Sequence, residues 1–193
     1  ENIEYRYEHK DELSGLRTDF TELDSIMNGL HRSDLIILAA RPAMGKTAFA
    51  LNIAQNVAIK EKVPVCIFSL EMSASQLVQR MLCSVAEVDT QRLKTGNMQP
   101  RDWEKLADAM NQFAGAPIFI DDTSGCTLTD IRTKCRRLKT QQKDLGLIVI
   151  DYLQLMEGGG KDDRLQQISA ISRGLKILAK ELDVPVIALS QLS

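Results

Sequence analysis

The string Arg41-Pro42-Ala43-Met44-Gly45-Lys46-Thr47-Ala48 joins an apolar run of strand length (35–40) to a helical pattern (45–60). That is the strand-loop-helix setting in which backbone N–H groups can cradle phosphate oxygens. Lys46 would bring a mobile cation to the β and γ oxygens of a nucleotide and Thr47 a hydroxyl to Mg2+, while Gly45 would let the backbone come close. The usual pattern, G-x-x-x-x-G-K-[ST], has a glycine where this chain has Ala40. Alanine serves there if the chain enters the turn with ordinary extended angles. A tight turn with a chance Gly-Lys-Thr is the alternative.

Three more polar side chains stand at the ends of apolar runs. Leu147-Ile148-Val149-Ile150-Asp151 would carry a carboxylate to the carboxyl edge of a central strand, where open α/β sheets bind nucleotides. Asp151 could there hold Mg2+ through its water shell, or be an ordinary turn aspartate. In many hydrolytic enzymes with such a loop the next residue is a glutamate that activates water, but here it is Tyr152. The base must then come from another strand. Glu71 closes the run 63–70 and would face the phosphate loop if its strand neighbours the first; just before Ser73, it could instead be a charge at a helix start. Gln191, after the run 184–189, would sense a γ-phosphate or be a plain loop residue.

These groups need a scaffold, and the pattern supplies one. Apolar runs at 35–40, 63–70, 117–120, 147–150 and 184–189 alternate with helical stretches at 45–60, 73–87, 101–113, 127–142 and 165–182. Such alternation is the sequence form of an α/β fold with a mostly parallel sheet and helices on both faces. Ser73-x-x-Gln76 predicts a capping box, Pro100 a helix start, and Thr21-x-x-Asp24 a capping pair on a short helix stopped by Gly29. Met72, Met81 and Trp103 are expected in the core. The basic residues of 127–143 (Arg132, Lys134, Arg136, Arg137, Lys139, Lys143) tempt a DNA reading. Opposite Leu128, Ile131, Cys135 and Leu138, they read better as a solvated or subunit-facing stripe.

Residues 1–14 are polar and lack apolar periodicity, which predicts a linker ahead of one domain over 15–193. The segment 158–163, Gly-Gly-Gly-Lys-Asp-Asp, lacks apolar anchors and predicts a loop. The chain stops at Ser193 just after an apolar run, so further sequence is expected beyond it. With 193 residues and 44% apolar content, one ordinary domain can bury a sizeable core. A net charge of −2 argues against an autonomous nucleic-acid-binding module, so any polyanion contact must be local or built by assembly. Cys66, Cys83, Cys126 and Cys135 match neither a zinc site nor a disulfide framework and read as isolated buried thiols. No run approaches the roughly 18 apolar residues of a membrane span, which predicts a soluble, cytoplasmic protein.

Several strings resemble the bacterial replicative helicases of the DnaB type: "TDFTELDSIMNGL", "DLIILAARPAMGKTAFALNIAQNVA", "FSLEMSASQLVQRML", "DIRTKCRRLK", "LIVIDYLQLM" and "VPVIALSQLS". The resemblance runs from about Gly15 to Ser193, and Ala40 is within that family's phosphate-loop pattern. It implies a RecA-like P-loop fold and a homohexameric ring that moves 5′ to 3′ along single-stranded DNA on ATP and Mg2+. It matches Lys46 and Thr47 to the phosphate and magnesium ligands, Glu71 to the catalytic glutamate, Asp151 to the Walker B acid and Gln191 to the sensor. Residues 158–164, with Gly159, Gly160, Lys161 and Arg164, match a loop facing the central channel. A primase and a helicase loader are the family's partners. Its trans-acting arginine finger and a second DNA loop would lie beyond Ser193. Another RecA-type ATPase of recombination or clock type, a small-molecule kinase and a nucleotide-switched binding module are the rival readings.

Overall fold

The computed structural model describes residues 2–156 and 164–192. In chain order the elements are α1 (Asn2–Glu8), α2 (Thr21–Met27), β1 (Leu35–Ala40), α3 (Lys46–Asn56) running on into a π-helical stretch (Val57–Glu61), β2 (Val65–Ser69), α4 (Ala74–Ala86) and α5 (Thr90–Thr95). There follow α6 (Pro100–Phe113), β3 (Ile118–Asp121), α7 (Leu128–Gln141), β4 (Leu147–Asp151), a 3-10 turn (Leu153–Leu155), α8 (Arg164–Leu182) and β5 (Val186–Gln191). Among the described residues the five strands form one parallel sheet in the order β1-β5-β4-β2-β3.

Among the described residues β2, β4 and β5 are interior strands, with both of their faces covered. Every residue of β2 and β4 is buried. Successive side chains of a strand point to opposite faces. Phe68, Ile148, Ile150 and Ala188 meet Ile131, Leu175 and Leu178 of α7 and α8 on one side. Ile67, Leu147, Val149 and Ile187 meet Leu51, Ile53, Leu77 and Met81 of α3 and α4 on the other. Truncating one of the large aliphatic side chains to alanine would cost about 2–5 kcal/mol.

The helix starts show which end chemistry the sequence encodes. The Ser73–Gln76 box caps α4, with the Gln76 N–H donating to Ser73 Oγ and the Ser73 N–H to Gln76 Oε1. Asp89 caps α5, Thr127 caps α7, and Pro100 opens α6. At α2 the expected pair does not form: Thr21 is already helical, and Asp24 instead reaches back to accept from the N–H and hydroxyl of Thr18 (3.0 and 2.8 Å).

Other expectations also change. Residues 2–8 of the expected linker are helical, and their apolar side chains Ile3 and Tyr7 stand exposed. Trp103 is 60% exposed, because α6 buries the face of Asp102, Leu106 and Ala109 and Trp103 lies one helical step round from it. Met81 is buried and Met72 packs half-buried on the same core. The thiols are free and buried, but they are not isolated: Cys66, Cys126 and Cys135 share one core, and a hydrogen bond with Cys66 together with burial pushes Cys135 up. Much of the α7 basic stripe is matched within the chain. Arg132 and Arg136 pair with Glu181 of α8, Lys134 with Asp121 (2.6 Å), and Lys139 donates to the Leu182 carbonyl.

At the amino edge of the sheet, where β1, β4 and β5 begin, polar groups are also tied to one another. Arg32 makes a two-pronged contact with Asp144 (2.7 and 3.3 Å) and donates to the Asp183 carbonyl (3.0 Å). Ser33 donates to Asp183 (2.9 Å), and Lys176 donates to the Ser33 carbonyl (2.8 Å) close to Asp34.

Candidate nucleotide site

The carboxyl edge of the sheet is built differently. β1 ends at Ala40, whose backbone is ordinary strand, in register with Gln191 of β5. The left-handed angles fall later in the loop, at Ala43 (φ 63°) and Gly45 (φ 78°), so the chain does not need glycine at position 40. Gly45 is the N-cap of α3, and a β-carbon there would meet no protein atom. Its φ favours glycine, and the missing side chain leaves the space in front of the helix open.

With Gly45 at its cap, α3 has no side-chain cap on its first N–H groups, in contrast to α4, α5 and α7. Unclaimed N–H groups at a helix start, with the positive end of the helix dipole behind them, form an anion site. They open on a cavity of about 490 Å³ whose lining includes Pro42, Ala43, Lys46, Thr47, Glu71 and Gln191. Arg41 and Met44 do not line it, and Met44 turns outward at 72% exposure.

Strand order corrects one premise. β2 does not neighbour β1, since β5 and β4 lie between them. Glu71 lines the cavity all the same, together with the loop residues Pro42, Ala43, Lys46 and Thr47. Asp151 ends β4 in register with Ser69 and is buried, with Oδ2 accepting from the Thr47 hydroxyl (3.0 Å). Its Oδ1 is buried with no hydrogen-bond partner. Burial pushes the Asp151 carboxyl up; the Thr47 hydrogen bond and the Lys46 and Arg80 charges pull the other way, while Glu71 adds to the rise. A hydroxyl beside a carboxylate with one free oxygen fits Mg2+, which takes few protein oxygens and fills its shell with water and phosphate.

Two contributors escaped the sequence reading. Arg80 of α4 lines the cavity, and the capping box could have signalled it: with the register set at Ser73 and Leu77 and Met81 turned to the core, Arg80 falls on the adjoining face. Tyr152 places its ring 4.6 Å from Lys46 Nζ, a cation–π contact for which the sequence holds no signal. A second cleft of about 550 Å³ lies beyond Arg80 between α3 and α4, away from the loop and Asp151. Gly159, Gly160 and Lys161 lie outside the described residues, as does the side chain of Arg164.

A parallel sheet, an uncapped loop-to-helix junction and a strand-end carboxylate on the loop's threonine define a RecA-like P-loop core. Residues 15–193 match the model of the DnaB-like helicase C-terminal domain, and the chain belongs to that family. It is 59% identical over 195 residues to the replicative DNA helicase DnaB of Geobacillus stearothermophilus, covering 100% of this chain and 43% of that protein. One solved ATPase domain superposes with a TM-score of 0.93 at 38% identity, covering 100% of this chain and 69% of the other. A DnaB-like replicative helicase solved in a study of its interactions with primase gives 0.92 at 38% identity, covering 100% of this chain and 47% of that one. The chain thus spans less than half the length of the curated relative. No helix among the described residues is long and apolar enough to cross a membrane.

Proposed function

We propose that this chain is the ATP-hydrolysing motor domain, residues 15–193, of a cytoplasmic replicative DNA helicase. In this reading six copies form a ring that draws itself 5′ to 3′ along single-stranded DNA, turning over ATP between subunits. One observation carries it: Lys46 and Thr47 of α3, Glu71 after β2 and Gln191 of β5 line one cavity, with Asp151 on the Thr47 hydroxyl.

The phosphates would lie on the N–H groups at the start of α3, with the Lys46 ammonium on the β and γ oxygens. Thr47 and the free Asp151 oxygen would hold Mg2+, which when bound would draw charge off those oxygens as the terminal bond breaks. Glu71 would take the proton of the attacking water and Gln191 would read the γ-phosphate. Arg80 would add positive charge where negative charge develops. Residues 159–161 and Arg164 are proposed DNA contacts on family grounds, and a primase and a loader are proposed partners on the same grounds.

The test is ATP turnover by the complete protein with and without single-stranded DNA. DNA should stimulate it, and Lys46→Ala should lower kcat/KM by about 10²–10³-fold or more. Phosphate transfer to a small alcohol in place of water would sink the hydrolase reading and favour the kinase one.

A further inference from the structure

We propose that Gln154 is a positioning residue for Gln191, an inference that rests on reading the cavity as an ATPase site. The β4–β5 ladder runs only from Ile148↔Val186 to Ile150↔Ala188. β5 nevertheless continues to Gln191, so its last residues have no ladder partner on the β4 side. On the other side, Ala40 of β1 stands in register with Gln191 and accepts from the Leu192 N–H (2.9 Å).

Gln154 fills the vacant side. The 3-10 turn after β4 brings its amide against the end of β5. Its Nε2 donates to Ser190 Oγ (2.9 Å) and to the Gln191 carbonyl (3.1 Å), and its Oε1 accepts from the Gln191 N–H (3.1 Å). A primary amide presents the same donor and acceptor as a peptide group, so this side chain extends the ladder by one rung. That rung lies on Gln191, which lines the proposed phosphate cavity. The segment that carries it begins at Asp151, bonded to Thr47, and includes Tyr152, in contact with Lys46. The exit of β4 therefore touches Thr47, Lys46 and Gln191. Gln154 does so through backbone, which makes it positioning rather than catalytic.

The experiment is steady-state ATPase on the complete protein with saturating single-stranded DNA, together with amide hydrogen exchange at Gln191. Gln154→Leu removes all three hydrogen bonds. It should lower kcat about tenfold, with KM for ATP changed less than about twofold because the phosphate loop is untouched. Gln154→Glu keeps the acceptor but sets a carboxylate oxygen against the Gln191 carbonyl, so it too should lower kcat. The Gln154→Leu, Gln191→Ala double variant should be no slower than the slower single one, because the two act as a unit. If the leucine variant does not fold, Gln154→Glu and Ser190→Ala carry the same comparison. Unchanged kcat in a folded variant, a change in KM alone, additive singles, or undiminished exchange protection at Gln191 would each overturn the proposal. If the wild type turns over ATP and Lys46→Ala does not, those outcomes leave the ATPase reading standing. If the wild type is inactive, that reading fails, and exchange at Gln191 still decides the role of Gln154.

Discussion

The amino edge of the sheet and the part of its carboxyl edge beside the phosphate loop both carry acidic side chains, and they treat them in opposite ways. At the amino edge Asp144 and Asp183 are held by Arg32 and Ser33, and Asp34 lies beside Lys176. The Arg32 hydrogen bond holds the Asp144 carboxyl below its usual range, with burial opposing and Leu145 assisting. At the carboxyl edge Asp151 keeps one oxygen buried and unmatched, its carboxyl is pushed up, and the neighbouring helix starts without a cap. The amino edge commits its polar groups to the fold; beside the loop they stay unmatched, as the proposed phosphate and metal site requires. Sites that bind charge are left locally unfavourable until the ligand supplies the missing partner.

That contrast can be broken or sharpened by substitution. The largest effect belongs to Glu71→Gln, which should lower kcat by about 10²–10⁴-fold while nucleotide still binds, as read by a fluorescent ATP analogue. Loss of binding in step with turnover would make Glu71 a structural residue instead. Asp151→Asn should lower turnover by less, about 10–10²-fold, yet raise the thermal midpoint by a few degrees in magnesium-free buffer, about 1 kcal/mol, because it removes a buried carboxylate with an unmatched oxygen. The sign follows from the raised pKa. The ionised form costs stability above that pKa, and the cost disappears as pH falls below the unfolded value near 4, so the gain should shrink with acidification. A lower midpoint would mean that Asp151 serves the fold as the amino-edge acids do.

The smallest effect is expected from Arg32→Ala, at the other edge. The pair is about half exposed, with side-chain exposures of 47% and 44%, so its loss should cost less than about 1 kcal/mol. With Asp144 depressed, that contribution is present above the unfolded aspartate pKa near 4 and is lost as pH falls through the folded one. ATP turnover should not change, and a large fall in kcat would erase the distinction between the edges.

The strands and longer helices were legible because both faces of the sheet are buried, which turns interior strands into unbroken apolar runs such as 65–68 and 147–150. Lys46, Thr47 and Asp151 were legible because loop and strand-end chemistry is local. What failed depended on rotation or on neighbours distant in sequence. Trp103 was misplaced by one helical step, α5 is too short for periodicity, and Glu71 reaches the cavity by a route that strand adjacency does not describe. Arg80, Tyr152 and Gln154 act across tertiary contacts, which spacing along the chain cannot record.

The pairing of β1 with β5 also governs how the site comes into being. Leu35 lies beside Val186, and among the described residues β1 has no other strand partner. During synthesis the phosphate loop would therefore emerge on a strand whose partner, β5, follows only after β2, β3 and β4 have been made. Long-range closure of this kind slows folding and makes it cooperative. A chain stopped before β5 would lack both the strand that β1 pairs with and Gln191, so the loop and the far wall of its cavity can form only together.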